Sequence, residues 1–253
     1  MVIHEYGDSS LPKIVLLHPM MADARCMLRL TESMEGKYCA IIPDLSGQGE
    51  DSGEYGNARQ EAETLILYLK KKGYTELALL MGASIGGLVG MYLLGQGDIS
   101  CKTAVFEGVP LYENAWLIYR FMKFGFLKKH RKAVQMPLAE VKKSMSARYG
   151  VFGDVMAENF VKMSEKSLIN VVRDCSDFPF PPLPEAVQRR IFLEVGGKDI
   201  NCRQNKTIWK HYPGVHIQVR EGYGHCMYLS EHYAEYGKLL EHYMGEERKN
   251  VPK

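Results

Sequence analysis

Leu77-Ala78-Leu79-Leu80-Met81-Gly82-Ala83-Ser84-Ile85-Gly86-Gly87-Leu88-Val89-Gly90 joins an apolar run of strand length to a small-residue helical pattern across one serine. A strand that becomes a helix over a single residue must turn sharply, so Ser84 is expected at the apex with a strained backbone and an exposed hydroxyl. The residues two before and two after the apex then crowd each other, and Gly82 and Gly86 leave room for that approach. A tight helix–sheet contact is the plainer reading of so many glycines. The strand before and the helix after favour the turn.

Working outward, Lys13–Pro19, Tyr38–Asp44 and Lys102–Gly108 read as further strands. Each is a nearly continuous apolar run, the pattern of a strand buried on both faces. Met20–Met34 reads as a helix stopped at Gly36, and Ala58–Lys72 as a helix capped by Asn57. Beyond Gly108 the alternation breaks off. Trp116–Lys132, Pro137–Arg148 and Val155–Val172 read as helices, and Phe178–Pro184 as a stiff extended return. Strand Arg190–Val195, helix Cys202–His211, strand Val215–Val219 and helix Tyr228–Met244 then resume the pattern. The expected fold is α/β, a doubly wound and mostly parallel sheet with an all-helical insertion. Its core comprises residues 1–109 and 185–247, the helical cap 110–184, and a short tail 248–253. Ligands of such sheets bind at the carboxyl ends of the strands. His18, Asp44, Ser84 and Glu107 all fall there.

A serine hydroxyl becomes a useful nucleophile only beside a base, and the base needs an orienting partner. Gly196-Gly197-Lys198-Asp199 and Gly222-Tyr223-Gly224-His225 each follow a strand. The chain order Ser84, Asp199, His225 resembles the α/β-hydrolase fold superfamily, specifically serine hydrolases with a helical cap. The loop His18-Pro19-Met20-Met21, the loop Asp44–Ser52 of Asp-x-x-Gly-x-Gly-x-x-Ser type, the elbow at Ser84 and the terminal Asp199/His225 pair carry that resemblance over nearly the whole chain. It implies Ser84 as nucleophile, His225 as general base and then acid, and Asp199 as the group that orients His225. It implies the backbone amides of Met20 and Ile85 as the oxyanion donors. Asp199 also reads as an ordinary helix N-cap beside Asn201, and Glu107 is the runner-up for the acid. Asp44 and Ser52 are expected to fix loop geometry, and Cys226 to act as a small hydrophobe. The superfamily usually has glycine where Pro19 stands. Proline removes an N–H, but not one of the two donors.

The expected pocket includes His18, Met21, Glu107 and Trp116. Between Pro110 and Gly150 nine Lys or Arg face two acids, a net +7 in a chain whose total is +2, so the remainder carries −5. Trp116, Tyr119, Phe121, Met122, Phe124 and Phe126 are interleaved. Three functional readings fit such a stretch: a cap over an acyl pocket, a site for an anionic substrate, or a membrane-surface helix. The plainer one packs the aromatics on the core and leaves the cations in water.

The near-neutral total charge argues against a nucleic-acid binder. The six cysteines show neither a C-x-x-C pair nor zinc spacing, and Met1–Tyr6 lacks signal-peptide character; a cytoplasmic protein with free thiols is expected. No metal and no cofactor are expected, no segment long enough to span a bilayer is present, and a homodimer is one option for assembly. The partner is a small-molecule ester or acyl compound. The leading function is hydrolysis of a carboxylic ester with a small to medium acyl group. Thioester, lactone or C–C hydrolysis, acyl transfer and perhydrolysis use the same triad, and a non-catalytic ligand-binding protein is the contrasting class.

Overall fold

The computed structural model describes residues 1–247; the tail 248–253 lies outside the described residues. Seven strands form one sheet: β1 (Val2–Tyr6), β2 (Lys13–Leu17), β3 (Cys39–Asp44), β4 (Glu76–Ala83), β5 (Ser100–Glu107), β6 (Ile191–Gly196) and β7 (His216–Arg220). They lie in the order β1-β3-β2-β4-β5-β6-β7. Only β1 runs antiparallel, against β3. Ile14 to Leu17 and Leu79 to Met81 are wholly buried although alternate side chains point to opposite faces. Both faces of the sheet are therefore covered, as the apolar runs require.

The chain steps from β2 outward to β3, then returns across β2 to begin β4. That reversal makes a crevice at the carboxyl ends of β2 and β4. The segment Pro19–Met21 leaves β2 there, and Ser84 leaves β4. Helix α1 (Ala24–Leu28) continues as a 3-10 turn over Arg29–Met34; α2 (Ala58–Lys72) and α3 (Ile85–Gln96) follow β3 and β4. Asn57 caps α2 through the Gln60 N–H, at 2.9 Å. Four helices of ten residues or more stand between β5 and β6: α4 (Trp116–Gln135), α5 (Leu138–Tyr149), α6 (Gly153–Lys162) and α7 (Glu165–Asp174). Beyond them are the short α8 (Glu185–Gln188), α9 (Asn205–His211), α10 (Met227–Glu231) and α11 (Tyr233–Glu247).

Side chains of α6 and α7 tie this helical segment to the core loops. Asn159 donates to Asp23 (2.8 Å) and accepts the Gly49 N–H (2.8 Å), while the ammonium of Lys162 donates to the carbonyls of Gly49 and Asp51. Asp174 accepts from the Tyr55 hydroxyl at 2.7 Å.

The main departure from the expected elements is at Met20–Asp23, which is a turn and not the first turn of a helix. The Pro19 carbonyl accepts the Ala22 N–H (3.1 Å), Met21 takes a left-handed φ of 73°, and Asp23 caps α1 with an extended backbone. The final helix divides at His232, where the backbone leaves helical values. Its second part reaches Glu247. No helix of the described residues is long and apolar enough to cross a membrane.

Candidate active site

The backbone at Ser84 has φ 50° and ψ −116°, outside the regions that L-residues ordinarily occupy. Two contacts hold it there. The Ser84 N–H donates to the Glu107 carbonyl (2.8 Å), and a Cβ added at Gly82 would stand 2.6 Å from the Gly86 carbonyl oxygen. Strain concentrated at one residue by a surrounding structure that over-determines it is characteristic of functional sites.

His225 and Asp199 reach Ser84 from the loops after β7 and β6. The Ser84 Oγ lies 3.0 Å from His225 Nε2, and His225 Nδ1 lies 2.7 Å from Asp199 Oδ2. The other oxygen of Asp199 accepts the Asn201 N–H at 3.0 Å. Asp199 thus accepts the Asn201 N–H on one oxygen and faces the His225 ring with the other. In the neutral ring the carboxylate takes the Nδ1–H, so that Nε2 is the unprotonated nitrogen facing the hydroxyl. Removal from water opposes an imidazolium here, while Cys226 and the Asp199 carboxylate favour it, and the balance raises the His225 pKa above its ordinary value. Asn201 also donates to the Gly108 carbonyl at 2.8 Å, fixing the loop beside the ring.

The amides of Ile85 and Met20 follow the ends of β4 and β2. Ile85 heads α3, so its N–H has no carbonyl within the helix to bond. The Met20 amide lies in the turn after β2. Its conformation is set by His18, whose Nε2 accepts the Leu45 N–H (2.9 Å) and whose Nδ1 donates to the Pro19 carbonyl (2.8 Å). Full burial lowers the His18 pKa, in keeping with a neutral ring whose two nitrogens play opposite roles. Gln48 holds the next amide, accepting the Met21 N–H at 2.6 Å. Asp44 accepts the N–H groups of Ala24 and Glu50, both at 2.8 Å, and so pins two loops to one strand end.

Ser84 and His225 open onto a cavity of about 560 Å³. Its walls are almost wholly apolar, with Met20, Met21 and Met27 on the core side and Phe121, Met122 and Phe126 on the α4 side. Three residues expected in the pocket lie outside it. His18 is buried behind the Met20 turn. Trp116 is 59% exposed and stands on the outer side of α4, away from the cavity that its helical neighbours Leu117 and Ile118 line. Glu107 is buried beneath the site: its only described carboxylate bond is from the Tyr236 hydroxyl, at 3.3 Å, and none reaches His225. Sequence reasoning missed Gln48, Asn159 and Asn201. Asn201 adjoins Asp199 and Gln48 lies in the glycine-rich loop, but nothing local tells which distant amide or carbonyl they bond.

Burial, with Glu194 paired opposite it in the sheet, pushes the Glu107 pKa up to about 7. In an unfolded chain it would ionise near its ordinary value of 4.5. The folded-state pKa is raised, so the stability it contributes is full below pH 4.5 and is lost as pH rises through about 7. That interval corresponds to roughly 3 kcal/mol. Glu107→Gln is expected to leave stability at pH 4 nearly unchanged and raise it at pH 8 by an amount of this order. Denaturant unfolding at the two pH values measures the difference.

The sheet order, the elbow after β4 and the helices between β5 and β6 give the chain the α/β-hydrolase fold. No protein-family model matches the sequence, and comparison with curated protein sequences finds no match either. Solved structures do match. A carboxylesterase of the ammonia-oxidising thaumarchaeon Nitrososphaera gargenis superposes with a TM-score of 0.73 at 16% identity, over 99% of this chain and 96% of its own. A thermophilic esterase from Thermogutta terrifontis gives 0.73 at 13%, over 97% and 93%. MenH from S. aureus gives 0.72 at 18%, over 97% and 98%.

Proposed function

We propose that this chain is a serine hydrolase that cleaves carboxylic esters of medium-length apolar acyl groups through an acyl-enzyme. The observation that carries the reading is the hydrogen-bonded series Ser84 Oγ, His225 Nε2, His225 Nδ1 and Asp199 Oδ2, at 3.0 and 2.7 Å, opening onto an apolar cavity. His225 takes the Ser84 proton as Oγ attacks the ester carbonyl carbon. The resulting oxyanion lies between the amides of Met20 and Ile85, and such a donor is worth about 3 kcal/mol in the transition state. On collapse, the bond to the leaving alkoxide breaks and His225 gives that oxygen its proton. Water activated by the same imidazole then attacks the acyl carbon and frees Ser84. Asp199 stabilises the imidazolium in both halves. The helices α4–α7 form the cap over the acyl chain, and the core supplies the triad. The carboxylesterase and esterase among the structural neighbours agree with this chemistry.

The test is labelling by a fluorophosphonate probe, with the wild type beside Ser84→Ala, followed by p-nitrophenyl esters from acetyl to decanoyl. Labelling is expected in the wild type only. Each methylene taken from water adds about 0.8 kcal/mol. kcat/KM should therefore climb roughly fourfold per carbon until the cavity is filled, then fall. Absence of labelling in the folded wild type overturns the reading; labelling without ester turnover moves it to another acyl bond or acceptor.

A further inference from the structure

Helix α4 contains six Lys or Arg and no acid (Trp116-Leu117-Ile118-Tyr119-Arg120-Phe121-Met122-Lys123-Phe124-Gly125-Phe126-Leu127-Lys128-Lys129-His130-Arg131-Lys132-Ala133-Val134-Gln135). Its large apolar side chains divide between two sides. Met122 and Phe126 pack inward against the core cluster. Phe121 is 82% exposed, Phe124 70%, Leu117 66% and Trp116 59%. At about 100° per residue these four span an arc of roughly 140° that also contains Arg120, Lys128 and Arg131. Four large apolar side chains, exposed side by side with cations between them, are a combination that water alone does not favour. The plainer reading, aromatics on the core and cations in water, therefore does not hold for Trp116, Phe121 and Phe124.

Charge supplies the occupant. Arg120 and Lys123 lie over the rings of Trp116 and Tyr119 at 5.6 and 5.5 Å. Among the described residues neither makes a carboxylate ion pair; Arg131 is bridged to Glu165. A second copy of the chain, meeting this face by two-fold symmetry, would set cations against cations. An anionic lipid surface offers the complementary pair of features, phosphate charge at the level of the Lys and Arg heads and acyl chains below for the aromatic rings.

We propose that the outer face of α4 docks on an anionic lipid surface, with Trp116, Leu117, Phe121 and Phe124 entering the headgroup–acyl boundary and the cations of the same helix holding phosphates. Leu117 and Phe121 also line the cavity. Docking therefore brings the rim of the cavity to the lipid, and only the fate of an acyl chain that enters rests on the hydrolase reading.

The experiment is co-sedimentation of the full chain with vesicles of pure phosphatidylcholine and of phosphatidylcholine with phosphatidylglycerol. It needs no enzymatic turnover, so its failure and the failure of the hydrolase reading are separable. Strong binding to the phosphatidylglycerol vesicles and weak binding to pure phosphatidylcholine are expected, with a blue shift of tryptophan emission and weakening by salt. A cation near such a surface contributes about fivefold in affinity, so Arg120→Gln/Lys123→Gln/Lys128→Gln should bind roughly a hundredfold more weakly. Phe121→Ser/Phe124→Ser should lose at least tenfold. Equal binding to both vesicle types, no binding at physiological salt, or unchanged binding by both variants overturns the proposal. So does self-association through this face without vesicle binding.

Discussion

Asp199→Asn is expected to lower kcat/KM on the preferred ester by about 10⁴ while leaving the melting temperature within a few degrees of the wild type. The amide is isosteric with the carboxylate, and its oxygen can still accept the Asn201 N–H that Asp199 Oδ1 accepts at 3.0 Å. The stability of the loop is therefore preserved. What changes is the group facing His225 Nδ1 at 2.7 Å. An NH₂ there donates, so Nδ1 must accept and the ring proton moves to Nε2. Nε2 then presents a hydrogen to Ser84 Oγ and cannot remove the serine proton. In another serine hydrolase the same change of tautomer costs about 10⁴ in kcat. Steady-state kinetics with p-nitrophenyl esters, read beside thermal melts, tests the expectation. Glu107→Gln serves as the contrast: with no bond from its carboxylate to His225, kcat/KM should stay within a fewfold. A large loss in Glu107→Gln with little loss in Asp199→Asn would reverse the two acids and overturn the assignment.

The legible parts of the molecule share a cause: each is fixed by neighbours in sequence or by simple periodicity. The buried strands could be read because parallel strands covered on both faces are apolar at every position. The Ser84 turn could be read because the required glycines flank it at fixed distance. The capping of α2 by Asn57 is equally local. By contrast, the turn at Met20–Asp23 depends on Met21 in the left-handed region, which nothing in a Met-Met-Ala-Asp string signals. Besides the local Pro19 carbonyl, it is held by bonds to a loop distant in sequence, Gln48 to the Met21 N–H and Leu45 to the His18 ring. The exposure of Trp116 and Phe124 was illegible for a related reason. An aromatic-rich helix announces a packed side, but composition does not say how many of its rings that side can accept. Glu107 reads as a site residue because strand ends carry sites, yet its carboxylate bonds Tyr236 below the crevice while its backbone carbonyl holds Ser84.

Gly86→Ala should damage both stability and turnover, and for one geometric reason. A Cβ at Gly86 would lie 2.4 Å from the Leu17 carbonyl oxygen and 2.7 Å from that of His18. Both are backbone atoms at the end of β2, with no flexible side chain to swing aside. Either the first turn of α3 backs away from β2 or the end of β2 gives. In both cases the Ile85 amide, at the head of α3, moves relative to the Met20 amide, two residues beyond His18. Overpacking a rigid contact costs about 3 kcal/mol. In a chain of this size that lowers the melting temperature by about 6–12 °C. Separating the two donors should cost a further 10²–10³ in kcat, the effect of losing one of them. Gly125→Ala provides the control. It lies in α4 with nothing within 4 Å of the added methyl, and replacing glycine by alanine inside a helix favours folding by up to about 1 kcal/mol. Gly125→Ala should therefore melt at or above the wild-type temperature. Thermal melts and ester kinetics on the two variants distinguish the outcomes. If Gly86→Ala kept full kcat despite a lowered melting temperature, the amides of Met20 and Ile85 would not be the pair that stabilises the oxyanion.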